Sequence, residues 1–447
     1  MIETELKTIE SPNGEIQRVF SARLDDWDSL QFYEPAPAKE SFERICNLYE
    51  KYIIPKAPYV FGTLVFFSLP DDLEIPFDFY GKYGLVGSRL TAAAIGLKLF
   101  VKNGKVCFEH DPACSEFVDE LKSRGLFRIV EGKRPNHVSI MPVSSKIGFL
   151  SSGKTSSLKV NSNFFVMDVF DVDSPYDTIG TPIGMRVKNG EMFSPPLFGR
   201  ECLIVRDDGS VSIEIPRLND FSFTICGKEF VPEKNCRLFE RPEKRKTSVV
   251  SGVDVIVIGN KVAAINTSDK TPIPSSGFVL RICKEDSLGI KPGDAVIFNG
   301  AENVRFALQV GNSAIISGVK TPGFISPFSN VKNLLSVNTP PSLYPHDYEK
   351  DRAPRIVLGA DKEGRPVLLW IEGPGKNGYT KGVDSCGASL SEVAEICSKA
   401  GLENAINLDG GGSAQILIDG KRALMISDRN PDGTEAERAV PVGLYVK

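Results

Sequence analysis

The stretch Ala405-Ile406-Asn407-Leu408-Asp409-Gly410-Gly411-Gly412-Ser413 is the most informative in this chain. Its first four residues read as a short buried strand that runs straight into a carboxylate. A carboxylate at the end of a buried strand is held by a rigid element yet faces the surface. The glycines behind it let a ligand approach the backbone closely, and they leave successive N–H groups to meet an anion. Three glycines in a row are conformationally costly, more than a plain hairpin requires. The competing reading is a glycine-rich turn in which Asp409 bonds its own backbone.

Working upstream, Ser389-Leu390-Ser391-Glu392 is a capping box. The helix it opens places Val393, Ile396, Cys397 and Ala400 on one face and stops at Gly401. Before it, Ile356-Val357-Leu358-Gly359 and Val367-Leu368-Leu369-Trp370-Ile371 flank the turn Lys362-Glu363-Gly364-Arg365, a hairpin. Downstream come a strand over 414–418, the Asp419-Gly420 turn and a closing strand over 439–446. Short strands separated by turns also fill 144–215, where Asn189-Gly190 and Asp208-Gly209 supply the positive φ angles of tight hairpins. More strands follow at 253–258, 261–265 and 277–282, and 326–351, rich in Pro and Asn, reads as a long surface loop.

The first 140 residues read differently. A helix is expected over 39–53, with Phe42, Ile45, Tyr49 and Tyr52 on one stripe. A second has Asp111 as N-cap, Pro112 at its first position, and Phe117, Val118 and Leu121 facing inward. Strands are expected over 59–67 and 98–101, and no chemical motif is visible. The expected fold class is therefore α+β: a strand-rich, mixed-sheet domain with few helices over 141–447, preceded by an N-terminal α/β elaboration over 1–140.

Composition narrows the function. With 53 basic and 57 acidic side chains in 447 residues the formal charge is −4, so no global basic excess points to nucleic acid. No apolar run is long enough to span a bilayer, and the N-terminus lacks the pattern of a signal peptide, so a cytoplasmic protein is expected. The nine cysteines are scattered without a C-x-x-C pair, which fits reduced thiols better than a zinc site.

Asn407-Leu408-Asp409-Gly410-Gly411-Gly412-Ser413, preceded by a helix ending in Ala400-Gly401, resembles the phosphodiester glycosidase family. Arg355-Ile356-Val357-Leu358-Gly359 is similar to that family's Arg-containing strand, and Ser385-Cys386-Gly387-Ala388-Ser389-Leu390 to its helix start. Asn161-Ser162-Asn163-Phe164-Phe165, Pro182-Ile183-Gly184 and Asn189-Gly190 resemble segments near the start of its domain, so the likeness runs from about residue 145 to 447. Two departures stand out: Asn163 where the family has a small residue, and Glu372-Gly373-Pro374 where Asp-Gly-Arg is common.

The resemblance implies a hydrolase that cleaves the anomeric C–O bond of a sugar-1-phosphodiester, with a link to exopolysaccharide metabolism in bacterial relatives. A phosphodiester is already an acidic leaving group, so strong protonation of the bridging oxygen matters less than in an ordinary glycoside. The site needs a carboxylate at the anomeric centre and donors for the phosphate. Asp409 fits the first role, with Glu372 as the candidate second carboxylate. Arg355 fits the second as a bidentate guanidinium. Arg438 is a further phosphate candidate, against a surface ion pair with Glu435 or Glu437. Asn161, Asn407, Gly410, Gly411, Gly412 and Ser413 complete the expected substrate contacts. No cofactor is expected. The acidic run from Asp168 to Asp173 has oxygen ligands for a divalent cation but lacks an EF-hand's spacing and glycine. Two other readings stay open: a non-catalytic glycan-phosphate-binding or structural protein (viral or phage) on the same fold, and a hydrolase of a cytoplasmic nucleotide-sugar-like phosphodiester.

Overall fold

The computed structural model describes residues 2–35, 148–165, 181–309 and 352–447 with short interruptions, and isolated segments at 67–69, 98–119, 127–130, 136–140, 174, 176 and 316–317. The expected helix over 39–53, the loop over 326–351 and the acidic run 168–173 lie outside the described residues.

The elements that position the site are, in chain order, β1 (Ile2–Glu10), β2 (Ile16–Leu24), β3 (Leu30–Tyr33), β4 (Leu158–Asn161), β5 (Arg355–Asp361), β6 (Pro366–Ile371), α1 (Leu390–Lys399), β7 (Leu402–Asn407), β8 (Ile416–Ile418), β9 (Lys421–Arg422) and β10 (Gly443–Val446). They build two sheets, one ordered β1-β2-β6-β5-β7 with Ile316–Ser317 beyond β7, the other ordered β9-β8-β4-β10-β3. Both are antiparallel throughout. The mixed sheet expected from sequence is thus corrected: short turns such as the one closing β5 and β6 can join only antiparallel neighbours.

The sequence explains the layering. Every residue of β5 and β6 is buried, as central strands covered on both faces must be. On one face, α1 lays Leu390, Val393, Ile396 and Cys397 against Val357, Leu369, Ile371 and Ala405. On the other, Ile356, Leu358, Trp370 and Leu408 pack on Leu158, Val160, Ile416 and Leu444 of the second sheet. Each fully buried side chain of this kind contributes about 1.5–3 kcal/mol. The capping box is present, with the Ser389 N–H donating to Glu392 Oε2 at 2.8 Å and the Glu392 N–H to Ser389 Oγ at 3.3 Å. Gly401, at φ +79°, ends the helix. The edge strand β1 presents exposed Glu3, Glu5 and Lys7, which discourage pairing with a further chain. Residues 185–307 carry a second core, in which Phe223, Val255, Phe278 and Leu280 are buried together.

The first residues do not form a separate unit. β2 pairs with β6, from Val19↔Ile371 to Arg23↔Val367, and β3 pairs with β10. β2's apolar alternation, with Phe20, Ala22 and Leu24 inward, is buried in the main core. Farther along, Asp111 caps a short turn as expected, accepting from the Ala113 N–H at 2.9 Å, and Val118 is buried. Among the described residues no helix is long and apolar enough to cross a membrane.

Candidate active site

The C-terminal ends of β4, β6 and β7 and the N-terminal ends of β2, β5 and β10 meet at one end of the paired sheets. Asp409 lies there, two residues beyond β7. Its N–H donates to the Ser162 carbonyl at 2.8 Å, and its carbonyl accepts from Asn161 Nδ2 at 2.6 Å. Asn161 Oδ1 accepts the Gln415 N–H at 3.0 Å, so this one side chain ties both flanks of the glycine segment to β4. Asn161 is thereby placed at the site as a clamp on Asp409's backbone.

The Asp409 carboxyl is buried, and burial pushes its pKa up to about 7. The Ser413 hydroxyl, Arg438 and the Gly410 N–H offset part of that push, while the charge of Asp428 adds to it. Asp428 was not singled out from sequence. It sits in Asp428-Arg429-Asn430-Pro431-Asp432-Gly433, a run whose composition announces only a turn. Arg438 donates to both its oxygens, Nε at 3.0 Å and Nη2 at 3.2 Å. The ion pair weighed for Arg438 therefore exists with a different partner. Glu437 pairs with Arg422 at 2.7 Å, and Glu435 accepts from the Ile426 N–H at 3.4 Å.

The glycines serve this arrangement in separate ways. Gly411 has φ +58°. A side chain on Gly412 would collide with the Arg438 guanidinium and the Asp428 carboxylate. The expected anion cradle of backbone N–H groups is largely committed within the protein. The Gly411 N–H donates to the Pro354 carbonyl at 2.9 Å, the Ser413 N–H to Gly410 at 3.1 Å, and the Gly410 N–H faces Asp409. Close approach of the Arg438–Asp428 pair accounts for Gly412, close approach of the Pro354 carbonyl for Gly410, and the positive φ for Gly411.

The remaining expected residues are dispersed. Arg355 is buried on the α1 face of β5, where its Nε donates to the Ala388 carbonyl at 2.9 Å. Strand alternation puts it there, since Val357 on the same face packs on α1 while Ile356 and Leu358 face the other core. Asn407, also buried, donates from Nδ2 to the Leu408 carbonyl at 3.0 Å. Glu372 is buried just beyond β6, its Oε2 paired with Arg18 at 2.7 Å and its Oε1 accepting the Met425 N–H at 3.0 Å. β5 separates β6 from β7, so Glu372 lies roughly 10 Å from Asp409 along the sheet. The carboxylate brought next to Asp409 is Asp428. Asn163, the departure from the family pattern, donates to the carbonyls of Ile183 at 3.1 Å and Gln309 at 3.0 Å and has a bracing role. Gln415 is fully buried beside this cluster, and its carboxamide bonds to none of the described residues. No group of three or more His, Cys, Asp or Glu among the described residues is arranged to hold a metal ion.

Residues 251–447 match the family model described as phosphodiester glycosidase. Over 78 residues, 17% of this chain, the sequence is 38% identical to N-acetylglucosamine-1-phosphodiester alpha-N-acetylglucosaminidase of Bos taurus and 37% identical to that of Homo sapiens. The matched stretches span only 13% and 14% of those proteins. Among solved structures, the pro-peptide-inhibited catalytic domain of the zebrafish enzyme of that name aligns with a TM-score of 0.38 at 13% identity, covering 100% of this chain and 82% of that one. A hypothetical protein from Synechocystis aligns with a TM-score of 0.42 at 13% identity, covering 99% of this chain and 61% of that one. The family match begins later than residue 145, where the likeness read from sequence starts, but it contains Asp409, Asp428 and Arg438. Over residues 251–447, this chain is similar to the phosphodiester glycosidase family.

Proposed function

We propose that this protein hydrolyses the anomeric C–O bond of a sugar-1-phosphodiester, releasing the free sugar and a phosphomonoester. The observation that carries this reading is the buried Asp409 carboxyl, pushed up to about 7, beside the Arg438–Asp428 pair. A carboxyl with that affinity for protons takes one from water near neutral pH far more readily than an ordinary aspartate.

In this reading ionised Asp409 acts at the anomeric carbon, removing a proton from the attacking water or stabilising the positive charge that develops there. The C1–O bond breaks, and its electron pair leaves with the phosphate oxygen. Arg438 attracts the anionic diester, and Asp428 fixes the plane of the guanidinium. Asn161 holds the backbone on which Asp409 is mounted, and Gln415 supplies a buried carboxamide to a sugar hydroxyl. Arg355 supports this from α1's side of the sheet.

The test is a screen of sugar-1-phosphodiesters and nucleotide sugars for reducing-sugar release, repeated on the active compound in ¹⁸O-labelled water. Label in the sugar hydroxyl supports C–O cleavage. Label in the phosphate would mean attack at phosphorus, and no release from any compound would favour a binding protein on this fold.

A further inference from the structure

We infer that the outer edge of β1 is a self-association surface, on which β1 of a second copy of this chain pairs antiparallel about a twofold axis through Leu6. The inference is independent of the proposed hydrolysis. β1 runs for nine residues, roughly 30 Å, at the margin of its six-stranded sheet, and among the described residues no strand lies beyond it. Alternate residues of an antiparallel edge strand point their N–H and C=O groups away from the sheet. The margin therefore offers a row of donors and acceptors that a further strand can use. The side chains from Glu3 to Thr8 are all exposed, with Leu6 at 58%.

The order of those side chains selects the occupant. When two copies of Ile2–Glu10 lie antiparallel with Leu6 opposite the partner's Leu6, all nine residues join the ladder. Glu5 then stands opposite the partner's Lys7, and by symmetry Lys7 opposite the partner's Glu5. Thr4 meets the partner's Thr8, Ile2 the partner's Glu10, and Glu3 the partner's Ile9, so no like charges face each other. Opposite charges and threonine pairs at directly opposed positions stabilise a sheet, whereas like charges there destabilise it.

Other registers fail that test. Sliding the pair by two residues one way sets Glu5 against the partner's Glu5, and the other way Lys7 against the partner's Lys7. A parallel, in-register arrangement opposes every charge to its own kind. A one-residue slip would join the α1-covered face of one sheet to the opposite face of the other. Glu3, Glu5 and Lys7 thus oppose casual pairing yet favour one partner, the chain itself. Within one copy Lys7 Nζ lies 2.8 Å from Glu5 Oε2, and pairing exchanges this exposed bridge for one to the partner.

The arrangement leaves both candidate sites open. The first residues of β2 lie at the site end, and β1 runs antiparallel to β2, so Glu10 is at that end also. The twofold axis sends the two sites to opposite ends of the joined sheet.

The experiment is sedimentation equilibrium of the full chain over a range of concentrations. The wild type should be a reversible dimer, weakened by sodium chloride. Glu5→Lys puts two positive charges on each strand at the axis, and Lys7→Glu puts two negative ones there. Each should raise the dissociation constant by about tenfold or more. The double variant Glu5→Lys/Lys7→Glu again opposes unlike charges and should dimerise as the wild type does. An equimolar mixture of the two single variants should form a heterodimer. Both positions are exposed, so folding should be unchanged, as circular dichroism would check. A wild type that stays monomeric throughout, single variants that dimerise as tightly as the wild type, or a double variant no tighter than the singles would each overturn the assignment.

Discussion

Arg438 holds both oxygens of Asp428, at 3.0 and 3.2 Å, and the pair lies so close to Gly412 that no side chain fits between them. This contact ties the hairpin bearing Asp428 to the loop bearing Asp409. Gly412→Ala should therefore displace the ion pair without unfolding the sheets. We expect kcat/KM to fall by about 100-fold, or about 2.7 kcal/mol of transition-state stabilisation. Circular dichroism should still show the wild-type strand signal. Near-normal activity would mean that the Arg438–Asp428 pair does not serve the reaction.

Asp428 also bears on the pH profile. Its charge raises the Asp409 pKa, while Arg438 lowers it. Asp428→Asn removes the first influence and leaves the second, so the Asp409 proton is held less tightly. If ionised Asp409 is the working form, kcat/KM rises with pH through about 7 in the wild type. In Asp428→Asn that rise should move to lower pH, even though the plateau drops as Arg438 loses its anchor. A midpoint that stays put or climbs contradicts the assignment of the rise to Asp409.

Much of this arrangement could be read from residue order, and what could not has physical reasons. The capping box at Ser389–Glu392, the hairpins at Asn189-Gly190 and Asp419-Gly420, and the strand before Asp409 rest on local chemistry, and all are present. Arg355 looked like a phosphate ligand because an arginine on a strand offers a planar fork. Only the face on which it lies, set by pairing with β6 and β7, shows that one arm is used on Ala388. Glu372 and Asp409 looked like partners, yet the strand between them depends on sheet order, which no local pattern encodes. Asp428 was hidden in a turn-like run, and its link to Arg438 is a tertiary contact. The sheet membership of β2 was missed for the same reason: its partner, β6, is more than 340 residues away in sequence.

Arg355→Lys tests the revised role of that arginine. Lysine keeps the charge but cannot reproduce a guanidinium's fixed set of donors to the Ala388 carbonyl and its surroundings. Because the side chain is buried, we expect a loss of about 1–3 kcal/mol of stability, read from urea unfolding. Activity should fall alike on a phosphodiester and on an aryl glycoside of the same sugar. A rise in KM confined to the phosphodiester would instead place Arg355 at the phosphate.

The pairing of β2 and β3 predicts the outcome of truncation. A chain beginning at residue 133 would lack both strands, exposing the edge of β6 and the apolar faces of Leu368 and Trp370. Such an edge recruits other chains, so the product should be insoluble. Supplying residues 1–35 in trans during refolding should recover soluble protein. A soluble, active product from 133 onward would show that the N-terminal strands are dispensable additions to the sheet.

Asp409→Asn separates what the carboxylate does for catalysis from what it costs the fold. The amide is nearly isosteric, so the clamp by Asn161 on the Asp409 carbonyl and the Gly411 turn should survive. Turnover should fall by roughly 100-fold or more, since an amide neither accepts a proton nor balances positive charge at the anomeric carbon. Stability should move the other way. The wild-type carboxyl has its folded pKa raised from 3.8 to about 7, so the folded state binds this proton more tightly than the unfolded state. That contribution is fully present below about pH 4 and is lost as pH rises through about 7, by up to about 4 kcal/mol for three pKa units. Asparagine carries no such dependence. The variant should therefore match the wild type in urea unfolding at pH 4 and exceed it at pH 8 by a few kcal/mol. A variant equal to the wild type at both pH values would mean Asp409 ionises without strain, and the burial argument for its role would fail. A variant more stable at pH 8 that still turns over at the wild-type rate would leave the burial intact and remove Asp409 from the chemistry.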